Sequence, residues 1–191
     1  MIFKKDKIYI EAFTRMTFGD IIKLPIPTYV EYLDTDLQKV LTENEFTLFS
    51  SQLLCLRLLL LYSEFLQKKL EGKIKLDDEY LGHIQGKALY LAFTDNNYSK
   101  EDIETLINKF LFEIENLCNY LEQIQRVEIL EKGYSYHICM FFSERFKTIV
   151  TKENYEENIN KYSIIISYIN NNKKIVNQYF EYIYRKVKLL Y

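Results

Sequence analysis

The chain has 191 residues, of which 48% are hydrophobic, 27% charged and 16% aromatic, and its formal net charge is −2. That length suits one domain with a sizeable core, and the apolar content excludes a disordered chain. Five Gly and two Pro exclude collagen-like and linker-rich sequences, and leave too few turn formers for a many-stranded sandwich or barrel.

An all-α fold is therefore expected: a single-domain bundle of six or seven helices over 1–191. Residues 1–27 form its short N-terminal extended or hairpin element and residues 28–191 the helical bundle. The near-neutral charge excludes a strongly basic coat protein and an acidic tail, though not a local patch. Cys55, Cys118 and Cys139 lie in apolar runs and are odd in number, which reads as buried thiols in a reducing compartment. No apolar stretch follows the first lysines as a secretion signal requires. The longest apolar run, Leu53 to Tyr62, contains Arg57 and is about half a bilayer span. These features place the protein in the cytoplasm. Abundant Lys, Ile, Asn and Tyr, all with A/T-rich codons, point to the genome of a low-G+C bacterium, its phage or plasmid, or a protist.

In chain order, Ile8 and Ile10 alternate, Thr17 to Asp20 could turn the chain, and Pro25 and Pro27 disfavour helix. Helical punctuation starts at Thr28. Thr28 with Glu31, Thr42 with Glu45, and Asn154 with Glu157 match the capping box, and Ser99 with Asp102 caps in the same way. Gly72 and Gly133 fall where C-terminal glycines belong. The predicted helices are 28–41, 43–71, 77–94, 100–132, 134–150, 154–170 and 173–190. The second carries leucines on nearly every side and should be the central one, with Leu56 and Leu60 in the core. In the fourth, Ile103, Ile107, Phe110, Ile114, Leu117, Leu121 and Ile124 form a heptad seam. Eight carboxylates against four basic residues make 99–132 acidic.

Few residues stand out as site candidates. Arg57 lies on a polar stripe with Glu43, Ser50, Glu64 and Glu71; it is expected to pair with a carboxylate of the acidic helix, or else to anchor an anionic ligand. Gly82 and Gly86, four apart within a helix, imply a tight helix crossing, room for a Tyr or Phe ring, or a notch for a ligand or partner. Lys173, Lys174, Arg185, Lys186 and Lys188 against Glu181 make the C-terminus basic. There Ile175, Val176, Tyr179, Phe180, Ile183, Val187 and Leu190 line one face, suited to docking on the bundle, against the acidic helix. Arg185, Lys186 and Lys188 remain candidates for contact with a partner.

No metal or catalytic residues are assigned. His137 and Cys139 point apart on a helix, no Cys-x-x-Cys or His-Glu-x-x-His occurs, and no Walker, dinucleotide or Gly-x-Ser-x-Gly motif is present. Each cysteine sits among apolar neighbours and reads as an inert core thiol. No cofactor is implied. By elimination, the expected function is that of a non-enzymatic intracellular protein that binds another protein or itself, as an adaptor, inhibitor, immunity or accessory protein does. The alternative is a helical regulator that binds nucleic acid through its basic C-terminus. No membrane association is expected.

Overall fold

The computed structural model describes residues 5–35, 41–147 and 155–191. Among these the order is β1 (Asp6–Tyr9), α1 (Ile10–Lys23), α2 (Tyr29–Thr35), α3 (Glu43–Leu70), α4 (Asp78–Asp95), α5 (Lys100–Leu121), α6 (Arg126–Lys132), α7 (Tyr134–Lys147), α8 (Tyr155–Lys186) and β2 (Val187–Leu190). The fold is all-α, with eight helices among the described residues and one two-stranded sheet.

α3 is the axis, as its composition requires. Leu53, Leu56, Leu59, Leu60, Leu61 and Phe65 are fully buried, and α1, α5, α7 and α8 pack around it. By length and composition α3 could cross a membrane, but 67% of its apolar window is covered by the protein itself. Its start is a full capping box. Thr42 Oγ1 accepts from Glu45 N at 3.3 Å, while Glu45 accepts from Thr42 N at 2.8 Å. Glu45 also receives Lys161 of α8 at 2.9 Å. Burial alone would raise the Glu45 carboxyl, but the Thr42 and Lys161 hydrogen bonds outweigh it and hold the group below its ordinary range. The Thr28–Glu31 box and the Ser99 cap form as expected, and Gly72 and Gly133 take positive φ at helix ends. The Asn154–Glu157 pair lies outside the described side chains.

Three elements depart from the predicted ones. The N-terminal extended element is only four residues long, and residues 10–23 are helical, so Thr17 to Asp20 do not turn. Ile10, Phe13, Thr14, Thr17, Phe18, Ile21 and Ile22 form the buried stripe of α1. Two of its seven members are threonines, which hides the period. Each hydroxyl is satisfied within the helix, Thr14 on Ile10 O at 2.7 Å and Thr17 on Thr14 O at 3.0 Å, so both pack as apolar groups. Next, the fourth predicted helix breaks. After Leu121 the chain tightens, with Gln123 N on Tyr120 O and Ile124 N on Leu121 O, and turns into α6. Ile124 therefore leaves the seam.

Finally, 155–186 is one helix where two were expected. The polar run Asn170 to Lys174 stays helical because Asn172 is buried and bonded at both ends of its amide: Oδ1 accepts from Arg57 and Nδ2 donates to Tyr168 O at 2.8 Å. At Val187 the chain becomes extended, so Val187 and Leu190 belong to β2 and not to the helical stripe. β2 pairs in parallel with β1, Asp6 opposite Val187 through Tyr9 opposite Leu190, which joins the chain's two ends. Val176 and Phe180 are fully buried, and Phe13, Phe65 and Phe180 interlock edge to face at 5.1–5.8 Å. α8 rests on α3 and α7, so apolar burial and not the charge of the acidic helix receives it.

Leu60 is 0% exposed at the centre of this arrangement. Leu60→Ala should cost about 2–5 kcal/mol through lost burial and a cavity, read from urea unfolding. An unchanged midpoint would show that α3 is not the axis.

Candidate functional site

In the polar stripe of α3, Arg57 and Glu64 are buried whereas Glu43 and Glu71 are exposed, and the partners of Arg57 are not carboxylates. Its Nε donates to Asn172 Oδ1 at 2.5 Å, Nη1 to Leu24 O at 2.9 Å and Nη2 to Pro25 O at 3.0 Å. No carboxylate pairs with it among the described residues. Burial therefore pulls the guanidinium below its ordinary range. The two carbonyls belong to the C-terminal cap of α1, where the helix dipole is negative, so the cation compensates an end that Pro25 terminates. All three sides of the guanidinium are thus engaged in joining α1, α3 and α8, and Arg57 is a clamp, not a ligand anchor. The partner found for the acidic helix is Arg145 of α7, which pairs with the buried Glu113.

Gly82 and Gly86 are not at a tight crossing. A Cβ at either would meet nothing within 4 Å. The close approach of α4 is made on its other side, against α1, where Ala88 and Ala92 are buried. The two glycines lie on an open helix face. The cysteines divide: Cys55 and Cys139 are buried, whereas Cys118 is exposed, since it stands one position beyond Leu117 on α5. Burial raises all three thiols, Cys55 to about 12 and Cys139 to about 11, which opposes thiolate chemistry. Among the described residues no group of three or more His, Cys, Asp or Glu could hold a metal.

A polar cleft of about 370 Å³ between α3, α7 and α8 was not legible in the sequence. At its floor Ser135 Oγ donates to Glu64 Oε1 at 3.1 Å, and Ser63 and Ser135 hydroxyls lie 3.2 Å apart. With its amide turned to face Glu64, Asn177 donates to Oε1 at 2.9 Å and to Lys173 O at 3.1 Å. Lys68, also buried, pairs with Glu181 of α8 and with Glu71 at 3.5 Å. The two buried charges, Glu64 and Lys68, are each engaged by another helix, so they fix how α7 and α8 sit on α3.

α5 carries apolar surface that the core does not use. Its heptad rows have separate fates. Ile103, Phe110 and Leu117 are buried, whereas Ile107, Ile114 and Leu121 are only half-buried. Interleaved with that second row are Leu111, 56% exposed, and the exposed Cys118. Ile107, Leu111, Ile114, Cys118 and Leu121 therefore recur at 4-3-4-3 spacing along a face that no helix among the described residues fully covers. Toward the end of α5 this face opens into an apolar groove of about 400 Å³, walled by Tyr62 and Leu66 of α3 and by Ile129 of α6. Glu115 and Glu122 stand exposed beside it. The seam that reads as one stripe in the sequence is two overlapping stripes, one turned inward and one outward, which give the same apolar residues.

At the C-terminus, Arg185 lies 3.5 Å from Glu181, and Lys186 is held over the Tyr182 ring at 3.6 Å. Lys188 stands apart from both, in a cleft with Lys5, Lys73 and Lys75. Only Lys188 of these four was singled out in the sequence. Comparison with known protein families, curated proteins and solved structures returns no match to this chain.

Two substitutions test these assignments. Arg57→Gln should cost about 2–4 kcal/mol in urea unfolding, because a shorter neutral amide leaves the Leu24 and Pro25 carbonyls and Asn172 unsatisfied. Burial holds the Glu64 carboxyl above its ordinary range. The unfolded chain then releases that proton at lower pH than the folded one, so ionised Glu64 costs stability as pH rises through the folded pKa. Glu64→Gln, which keeps an acceptor for Ser135, should raise the melting temperature at neutral pH. The gain should vanish below about pH 4, where both states are protonated. A gain that does not depend on pH would refute the burial argument.

Proposed function

We propose that the protein is a non-enzymatic, protein-binding helical bundle, and that the outer stripe of α5 is its docking face. The observation that supports this is the incompletely covered heptad row itself. A 4-3-4-3 apolar row is the surface onto which a second helix packs, and it recurs here on an exposed side of a helix whose other row already supplies the core.

The partner is an amphipathic helix with basic flanking residues. Glu115 and Glu122 border the stripe, so opposite charge at the flanking positions of the incoming helix is favoured and like charge is penalised. The same argument disfavours a second copy of α5, whose stripe would bring identical carboxylates together. The groove walled by Tyr62, Leu66 and Ile129 would take one or two large apolar side chains of that helix.

Two designed heptad peptides with the same leucine core, one lysine-flanked and one glutamate-flanked, test the reading by calorimetry against the full chain. The lysine-flanked peptide should bind, protect Cys118 from maleimide labelling, and lose affinity at least tenfold with Leu111→Asp or Ile114→Asp. Leu111 is exposed, so its substitution leaves the core intact. Equal binding of both peptides, binding of neither, or a dimer that Leu111→Asp dissolves would reject this assignment.

A further inference from the structure

The lysine cleft beside the terminal ribbon lies apart from the outer stripe of α5. Its lysines come from three segments that the fold brings together. Lys5 precedes β1, Lys73 and Lys75 lie between α3 and α4, and Lys188 is on β2; together they line a concavity of about 610 Å³. Lys73 is paired with Glu71 at 2.6 Å. Lys5, Lys75 and Lys188 are exposed and make no hydrogen bond or ion pair among the described residues. A fourth such cation, the exposed Lys7, sits directly opposite Lys188 in the ribbon register. Like charges facing each other across two strands are destabilising. The pairing persists because Ile8, Val187 and Leu189 pack on the core from the same ribbon. Glu71 is engaged with Lys68 and Lys73, and Glu181 with Lys68 and Arg185, which leaves Asp6, opposite the cleft-lining Val187, as one exposed carboxylate against the exposed Lys5, Lys7, Lys75 and Lys188.

An incompletely compensated cluster of this kind calls for an anion with more than one charge. The cleft also presents an aromatic surface. Tyr191 is 53% exposed, and its hydroxyl is tied to Lys73 O at 3.0 Å, which holds the ring at the rim with a face toward solvent. Tyr184, the other lining aromatic, is stacked on Phe180 at 5.6 Å and has Lys68 over its ring, so it serves as wall. Cations that follow a backbone and an exposed ring on which a base can stack are the two requirements for binding single-stranded nucleic acid. A concave cleft also suits a strand better than the flat headgroup plane of a membrane.

We infer that the cleft formed by Lys5, Lys75, Lys188 and Tyr191 binds single-stranded nucleic acid. This site differs from the basic end of α8, whose Arg185 and Lys186 are held by Glu181 and Tyr182.

Fluorescence anisotropy of a labelled oligothymidylate, titrated with the full chain, tests the assignment. Three phosphate contacts predict an affinity loss of about 20-fold between 50 and 200 mM salt. The triple variant Lys5→Gln, Lys75→Gln, Lys188→Gln should bind at least about tenfold more weakly with a melting temperature no lower than that of the wild type, since all three side chains are exposed and Lys188 faces Lys7. Tyr191→Leu should weaken binding about fivefold or more and leave the salt dependence as it was. The pair Arg185→Gln, Lys186→Gln should change little. Absence of binding at low salt, wild-type affinity in the triple variant, or binding to anionic vesicles that the oligonucleotide does not displace would each overturn the inference.

Discussion

A helix that is apolar on every side has no stable existence until other elements enclose it, and α3 imposes that requirement on this protein. Leucines alone would accept neighbours in many registers, because apolar burial has no direction. Three buried polar side chains on the same helix remove that freedom. Arg57 needs the last carbonyls of α1 and the amide of Asn172 on α8. Glu64 needs Ser135 of α7 and Asn177 of α8, and Lys68 needs Glu181 of α8. Leaving any of these charges buried and unpaired costs several kcal/mol, more than a slipped helix would recover by other contacts. The apolar surface of α3 therefore drives assembly, and its polar interruptions select one assembly.

The same logic separates structural from functional surface. Wherever a polar or charged group is engaged by another element, as at Arg57, Glu64 or Glu113, it has a sufficient structural reason to be there. Two features have no such reason. The outer row of α5 repeats an apolar period that is only half covered, and the cleft at the terminal ribbon gathers more cations than the carboxylates that pair with them. Each costs something in the isolated chain, the first through exposed apolar area and the second through repulsion. Those costs are what a helical partner and an anionic ligand would relieve.

Local chemistry was readable from the residues alone. Thr42 with Glu45, Thr28 with Glu31, Ser99, Gly72 and Gly133 mark helix ends because capping involves residues three or four apart, and the leucine-rich run of α3 announced its own burial. The heptad of α5 was equally plain. What the residues could not convey was anything dependent on a distant partner. Thr14 and Thr17 read as polar until α1 is seen to bond their hydroxyls to its own carbonyls. Asn172 reads as a helix breaker until Arg57, 115 residues away in sequence, meets its amide. The split of the α5 apolar residues into an inner and an outer row depends on where α3 lies, since periodicity gives the angle of a side chain about its own helix and not what stands beyond it. The lysine cleft is the extreme case. Lys5, Lys75 and Lys188 share no motif, and they meet only because a parallel ribbon joins the two ends of the chain beside the α3–α4 connection. Sequence determined the capped helix starts and the identity of the core helix, because those follow from short-range spacing; tertiary structure decided where α1, α5 and α8 run and which surfaces remain unpaired, because that depends on which long-range neighbours arrive.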